Sequence, residues 1–175
     1  MIKKTLIYLF LYLIFSVKSF ALIEVDITRG NLDPLPIAIS PLYVDIKSEN
    51  FKDLKIKELG SNISKIIEKN FKNTGLFNPL KKDAFVQKPD IAHLKPRFED
   101  WKLIKAQALV TGKLIIKNEK LKIEFRLWDL TAGKEMTALA FTTTPSNWRR
   151  VAHIISDKIY ERLTGEEGYF DTRII

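Results

Sequence analysis

The stretch between Leu121 and Leu127 alternates strictly between apolar and charged side chains, and this pattern constrains the fold more than any other in the chain. A period of two predicts a β-strand with one buried and one solvated face. The buried face would carry Leu121, Ile123, Phe125 and Leu127, and the solvated face Lys122, Glu124 and Arg126. Because an apolar sheet face must be covered, the chain needs a second layer packed on this strand's sheet.

Two long segments have the helical period that such a covering layer requires. Their apolar residues recur at intervals of three and four, which predicts amphipathic helices. A glycine, the residue that most often ends a helix, follows each of them. The first is predicted from Asp53, as N-cap, to Thr74 before Gly75, and the second from Trp148, after a cap at 145–147, to Leu163 before Gly165.

Short apolar segments elsewhere predict the remaining strands. Pro41 interrupts the first of them and marks a strand end or a sheet edge, since proline cannot donate to a ladder. A short helix is expected after Pro96. The predicted strands are Ile37–Val44, Leu76–Leu80, Leu109–Ile116, the strand from Leu121, and Met136–Thr143, with turns at 118–119 and 131–134. This order predicts an α/β two-layer sandwich, with a mixed sheet and two long helices packed on one face.

The first 21 residues have the parts of a secretory signal peptide. Lys3 and Lys4 precede an apolar run from Leu6 to Phe15, and the small residues Ser19 and Ala21 follow it. The run is shorter than the roughly 20 apolar residues that span a bilayer, so a signal is favoured over the alternative, a membrane anchor. We expect residues 1–21 to be removed after Ala21 and the mature chain to work in the periplasm.

The next residues, 22–35, are expected to form an extended, partner-binding arm. Apolar and polar side chains alternate from Ile23 to Thr28, and Arg29-Gly30-Asn31 interrupts the pattern. Pro34 and Pro36 exclude a helix in the following stretch. Such an arm can add an edge strand to a partner's sheet, and the alternative is that it pairs with its own domain. We expect the folded body to span 36–165 and a junction to span 166–175.

The sequence contains no pattern typical of a catalytic or metal site. It has no cysteine, and His93 and His153 occur outside any metal-ligand motif. His153 and Asp157 lie four residues apart on the second helix, where a solvated surface pair is the simplest interpretation. We therefore expect no catalytic residue, no metal and no cofactor. Trp128, on the charged side of its strand, is either a partly exposed contact residue or part of the core.

The net charge of +8 does not indicate a nucleic-acid partner. Three of the positive charges lie within 1–21, which leaves +5 in the remainder. The lysines are spread along the chain, whereas nucleic-acid binders cluster basic groups and interleave aromatic residues. A protein partner is favoured, with no membrane insertion after the signal is removed. The alternative is an independent periplasmic enzyme or small-ligand-binding domain that reuses the α/β fold.

Several segments resemble the TolB family, the periplasmic component of the Tol-Pal system. The most specific is WRRVAHIISDKIYERLTGEEGYFDTRI at 148–174. Further similar segments are GLFNPL at 75–80, ALVTGKL at 108–114, LWDLTAGK at 127–134 and IEVDITRGNLDPLPIAISP at 23–41. The resemblance extends over essentially all of the chain that follows the predicted signal.

The resemblance implies an α/β amino-terminal domain that precedes a β-propeller. It also implies binding to TolA through an amino-terminal segment and to Pal and colicins through the propeller, in support of outer-membrane integrity and envelope constriction during cell division. By position, the implied TolA-binding residues are Ile23, Glu24, Val25, Asp26, Ile27, Thr28, Arg29, Gly30 and Asn31. The sequence stops at Ile175, where the first propeller strand is expected, so we expect a truncated or split form in which Pal binding is in doubt.

Overall fold

A six-stranded mixed sheet forms the centre of the protein. The computed structural model describes residues 23–25, 33–45, 56, 58–117 and 120–172. The strands are β1 (Leu35–Ile39), β2 (Tyr43–Asp45), β3 (Phe77–Pro79), β4 (Ala108–Lys117), β5 (Lys120–Asp129) and β6 (Lys134–Thr143). They lie in the order β3-β1-β4-β5-β6, and β2 pairs with β4 beyond the end of β1.

The sheet combines a parallel half with an antiparallel half. β1 runs parallel to both β3 and β4, while β4, β5 and β6 form an antiparallel meander. The predicted first strand, Ile37–Val44, is two strands, with Pro41 in the break between them, as expected for a residue without a backbone donor. Its start also needs correction, because Leu35, assigned to the arm, already pairs with Phe77 in β1.

Four helices flank the sheet among the described residues. They are α1 (Leu59–Thr74), α2 (Pro89–Ala92), α3 (Phe98–Leu103) and α4 (Trp148–Thr164). Both long helices end as predicted, since Gly75 and Gly165 adopt the left-handed conformation with φ of 71° and 76°. The proposed N-cap Asp53 lies outside the described residues. The expected cap at 145–147 is wrong in detail, because this segment is a 3₁₀ turn that makes no side-chain capping bond to α4.

The main core lies between the two long helices and one face of the sheet, which confirms the predicted α/β two-layer arrangement. The apolar set of β5 is fully buried there, and α1 and α4 also pack against each other. The helical contribution consists of Ile63, Ile67, Phe71, Ile155, Ile159 and Leu163, none of which is exposed. Each such side chain contributes about 1.5–3 kcal/mol by leaving water, so these contacts hold the helices on the sheet.

A smaller core lies on the opposite sheet face, under α2 and α3. Trp101, Leu109 and Trp128 belong to it. The interpretation of Trp128 as an exposed contact is therefore wrong, since its side chain is only 7% exposed and its indole N–H donates to Thr111 Oγ1 at 2.9 Å. Trp128 lies on the sheet face opposite to Leu127, as the alternation predicts, but α2 and α3 cover that face. The pairing of β5 with β6 shifts at this point, where Leu127 pairs with Thr137 and Trp128 with Glu135.

Candidate functional site

Residues 23–25, the described part of the predicted arm, contact the body of the protein. The Ile23 N–H donates to Asp129 Oδ2 at 3.0 Å, and the Val25 N–H donates to the Leu163 carbonyl at 2.7 Å. These three residues belong to no strand. Residues 26–31, the remainder of the predicted TolA-binding set, lie outside the described residues. The structure thus favours docking on the protein's own domain for the first part of the arm.

Side-chain burial alternates along these three residues. Val25 is 9% exposed and joins the main core, and Ile23 packs against the same core, whereas Glu24 is exposed. This is the alternation that the sequence indicated, although the backbone bonds are made to a carboxylate and to a helix end rather than to a strand. A docked segment of this kind is ordered by two backbone bonds and one buried side chain.

Asp129 joins the arm to the β5–β6 turn. It is the last residue of β5 and is fully buried. Its Oδ1 accepts the Ala132 N–H at 2.7 Å, which is the local bond that aspartate commonly makes at turns. Its Oδ2 remains available on the other side and accepts the Ile23 N–H. A buried carboxylate with two charge-assisted bonds therefore fixes the turn and the arm together.

A groove of about 520 Å³ lies beside the docked arm. Its wall is formed by the arm, by β6 and by the end of α4, and its lining residues include Glu24, Thr137, Leu139, Lys158, Glu161 and Arg162. Lys158 Nζ lies 2.8 Å from Glu161 Oε2, and this hydrogen bond raises the pKa of Lys158. The groove therefore combines apolar surface with charges of both signs, which suits a peptide segment of mixed polarity.

Sequence reasoning did not identify this groove because its residues come from three separate elements. The apolar member, Leu139, is one of the few large hydrophobic side chains that are exposed among the described residues. It lies on β6, which is the edge strand of the sheet and pairs with β5 on one side only within the described residues. An edge strand beside a groove is a recurrent geometry for binding an extended segment.

The two histidines have structural environments. His93 Nδ1 lies 3.0 Å from the Pro89 carbonyl, and its ring stacks on Tyr43 with 4.5 Å between centroids. His153 Nδ1 lies 3.0 Å from Asn70 Nδ2, in the contact between α1 and α4. In the described part of the chain, no group of three or more His, Cys, Asp or Glu side chains is placed to hold a metal ion.

The suggested surface pair of His153 and Asp157 is not the contact that Asp157 makes. Its two carboxylate oxygens accept the N–H groups of Phe170 and Asp171, at 2.7 and 3.1 Å. Asp157 therefore serves the segment that follows α4. None of the described helices is both long enough and apolar enough to cross a membrane.

Comparison with known proteins identifies the family. Residues 23–136 match the family model of the TolB amino-terminal domain. The chain belongs to this family. The matched range includes β1 to β5, α1 and the docked residues 23–25, so the family assignment covers the arm as well as most of the sheet.

Two TolB proteins illustrate the extent of the similarity. The Tol-Pal system protein TolB of Pelagibacter ubique is 71% identical over 171 residues, which is 96% of this chain and 38% of that protein. The crystal structure of TolB from Acinetobacter baumannii superimposes with a TM-score of 0.62 at 20% identity, over 79% of this chain and 30% of that one. The latter similarity shows the shared fold. This chain spans less than half the length of either TolB protein.

Proposed function

We propose that this chain is a periplasmic protein-binding module of the Tol-Pal system that binds TolA through residues 23–31. Membership of the TolB amino-terminal domain family carries the proposal. The similarity to the Tol-Pal system protein of Pelagibacter ubique supports it, because that similarity covers nearly the whole of this chain. In this role the module supports outer-membrane integrity and constriction of the envelope during division. It acts by binding and not by catalysis.

The chemistry of the arm supports this assignment. Its alternation of apolar and polar side chains suits addition to the edge of a partner's sheet, where backbone bonds give affinity and alternate side chains set the register. Pro34, which has no N–H group, separates the arm from β1. A partner strand can therefore engage the arm without unpairing the sheet of the body.

Docking of the arm also regulates its availability. The N–H groups of Ile23 and Val25 donate hydrogen bonds to the Asp129 carboxylate and the Leu163 carbonyl. A partner strand that pairs with the same two residues must first displace these bonds. Each such bond contributes on the order of 1 kcal/mol net, which a ladder to a partner strand can replace. The arm thus exchanges intramolecular bonds for intermolecular ones when it binds.

The first prediction tests the arm with point variants. Ile27→Pro removes a backbone donor within the alternating segment and should weaken binding to the TolA carboxy-terminal domain about tenfold or more. Asp26→Asn keeps every backbone group and should change affinity by less than about threefold. Isothermal titration with each variant measures both effects. Ile27 is chosen in preference to Val25, because the Val25 N–H already serves the protein's own fold.

Deletion of residues 22–31 provides the control for folding. The deleted chain should lose TolA binding and keep the circular dichroism of its helices and sheet, because the sheet and the two long helices supply nearly all of the main core and the arm adds only Val25 and, at its edge, Ile23. Unchanged affinity for TolA after the deletion would show that the arm is not the binding segment. Unfolding of the deleted chain would show that the arm is a structural part of the body.

A further inference from the structure

The layer formed by residues 81–105 has an unusual surface for a region that covers a sheet. We call it the basic layer, and it includes α2, α3 and the 3₁₀ turn Lys82–Ala84. Four of the six large apolar side chains that are exposed among the described residues belong to it. They are Val86, Ile91, Leu94 and Leu103, and the last two are 69% and 79% exposed. Exposed aliphatic groups concentrated in one short segment indicate a contact surface.

Positive charge accompanies these apolar side chains. The basic layer contains seven Lys and Arg residues against four Asp and Glu residues, a net charge of +3. Three of the cations, Lys82, Arg97 and Lys102, are in ion pairs. The other four are exposed and form no ion pair with any described residue: Lys81, Lys88, Lys95 and Lys105.

We propose that the basic layer binds the surface of an anionic lipid bilayer. Val86, Ile91, Leu94 and Leu103 would enter the headgroup region, and the free lysines would remain beside the lipid phosphates with their aliphatic stems along the apolar surface. This contact is peripheral and involves no spanning segment. It extends the proposed function, because it would hold a TolA-binding module at a membrane surface by a route independent of the arm.

The composition of the basic layer favours a lipid surface over a protein partner. Protein interfaces are enriched in aromatic residues and Arg and depleted in Lys, whereas the free cations here are all Lys and the exposed apolar groups all aliphatic. Lysines near an anionic leaflet each contribute to binding without fixed geometry, so scattered ammonium groups are sufficient there. A nucleic acid is disfavoured because the aromatic rings of the layer face inward and cannot stack on bases.

The inward aromatic residues fix the layer on the sheet. Trp101 is buried and donates its indole N–H to Gln87 Oε1 at 2.8 Å, and its ring packs edge-on against Phe85. The Phe98 ring packs in the same way on Trp128, with 5.9 Å between centroids. Gln87 Oε1 also accepts the Arg97 N–H at 3.0 Å, which joins the segment before α2 to the start of α3. The exposed side chains are therefore displayed from a fixed base.

A vesicle-binding experiment tests the proposal. The chain is purified after export, and mass spectrometry confirms removal of residues 1–21, whose apolar run would itself bind lipid. Flotation is measured with vesicles of phosphatidylcholine alone and of phosphatidylcholine with about one third phosphatidylglycerol. Binding is expected only to the anionic vesicles, and about 0.5 M NaCl should weaken it by screening the lysines.

Paired variants locate the binding surface. Lys88→Gln with Lys95→Gln should lower the partition coefficient on the order of tenfold, and Leu94→Ser with Leu103→Ser should lower it by a similar factor. The matched control is Lys117→Gln with Lys120→Gln, because these exposed lysines pair with each other at the hairpin end of β4 and β5, away from Leu109 and Trp128, where the layer packs on the sheet. The control should change binding by less than about twofold.

Three results would overturn the proposal. One is absence of binding to the anionic vesicles. Another is an equal loss of binding in the hairpin control, which would show that net charge alone, and not the basic layer, determines binding. The third is tight binding of polyglutamate without vesicle binding, which would assign the layer to an acidic protein. Since the layer variants leave the arm intact, they should keep TolA affinity, and deletion of 22–31 should keep vesicle binding, so the two proposals fail separately.

Discussion

Asp129 is the residue on which the arrangement of the arm depends most directly. Asp129→Ala leaves the N–H groups of Ile23 and Ala132 without their acceptor, and both lie in partly buried surroundings. A buried donor that loses its acceptor costs about 1–3 kcal/mol, and two donors are affected here. We therefore expect urea denaturation to show an unfolding free energy that is lower by about 1–3 kcal/mol or more. The arm should also become more accessible, which limited proteolysis measures.

Asp83→Ala is the matched control for this variant. Asp83 is exposed and forms no ion pair with a described residue, so its removal should change stability by less than about 0.5 kcal/mol. Asp129→Asn keeps one carbonyl oxygen and should fall between the two. An Asp129→Ala protein as stable as the Asp83→Ala protein would contradict the role assigned to the carboxylate.

The sequence shows why Asp129 and its neighbour escaped prediction. Alternation from Leu121 to Leu127 is regular, and its extrapolation places Trp128 on the solvated face. Trp128 is on that face, but a covering layer buries it, and the period of two in β5 has no information about what covers the opposite face. The bond from Asp129 to Ile23 joins residues 106 positions apart, a separation at which local pattern has no information.

At the level of elements, periodic patterns identified those that are long and half-buried. α1, α4 and the β4-β5-β6 meander were predicted because each buries one face, and burial of one face imposes a period on the sequence. The same patterns did not predict the order of the strands in the sheet. β1 pairs with β3 and β4, which lie far along the chain, and nothing in the periodic pattern of a strand specifies its neighbours. α2 was missed because four residues are too few to show a period.

Among the described elements, the helices of the basic layer should have the lowest free energy of local opening. α2 and α3 have four and six residues, and short helices depend on tertiary contacts more than on their own hydrogen bonds. Amide exchange should therefore be faster in α2 and α3 than in α1 and α4. Trp101→Phe removes the donor to Gln87 Oε1 and should speed exchange in α3 further while leaving α1 unchanged.

Trp148→Phe serves as the control for that measurement. Trp148 is a half-buried residue at the start of α4 that packs against the main core, so its truncation should not affect exchange in α3. The prediction would be contradicted if the amides of α3 exchanged as slowly as those of α1, both in the native protein and in Trp101→Phe. The basic layer would then open together with the rest of the protein and would not be a separate unit.

For the molecule as a whole, the folded body continues beyond its predicted end at residue 165. The Phe170 ring packs on the main core, and its centroid lies 6.2 Å from that of the Phe71 ring and 5.8 Å from that of the Tyr160 ring. Arg150 forms an ion pair with Asp171 at 3.2 Å. Gly168 passes so close to α4 that a Cβ atom there would lie 2.4 Å from the Asp157 Cα. Local pattern did not predict this continuation, because residues 166–172 have neither a helical nor a strand period.

Two truncations test the extent of the body. A chain that ends at Gly165 loses the Phe170 ring and leaves the Asp157 carboxylate without the two N–H groups that it accepts. Removal of an aromatic side chain that packs on a core, together with these bonds, should lower the unfolding free energy by about 2–4 kcal/mol in urea. A chain that ends at Thr172 keeps all of these contacts and is the control, with stability expected within about 0.5 kcal/mol of the whole chain. Equal stability of the two truncated chains would place the end of the body at Gly165, because the contacts of 166–172 would then contribute nothing measurable.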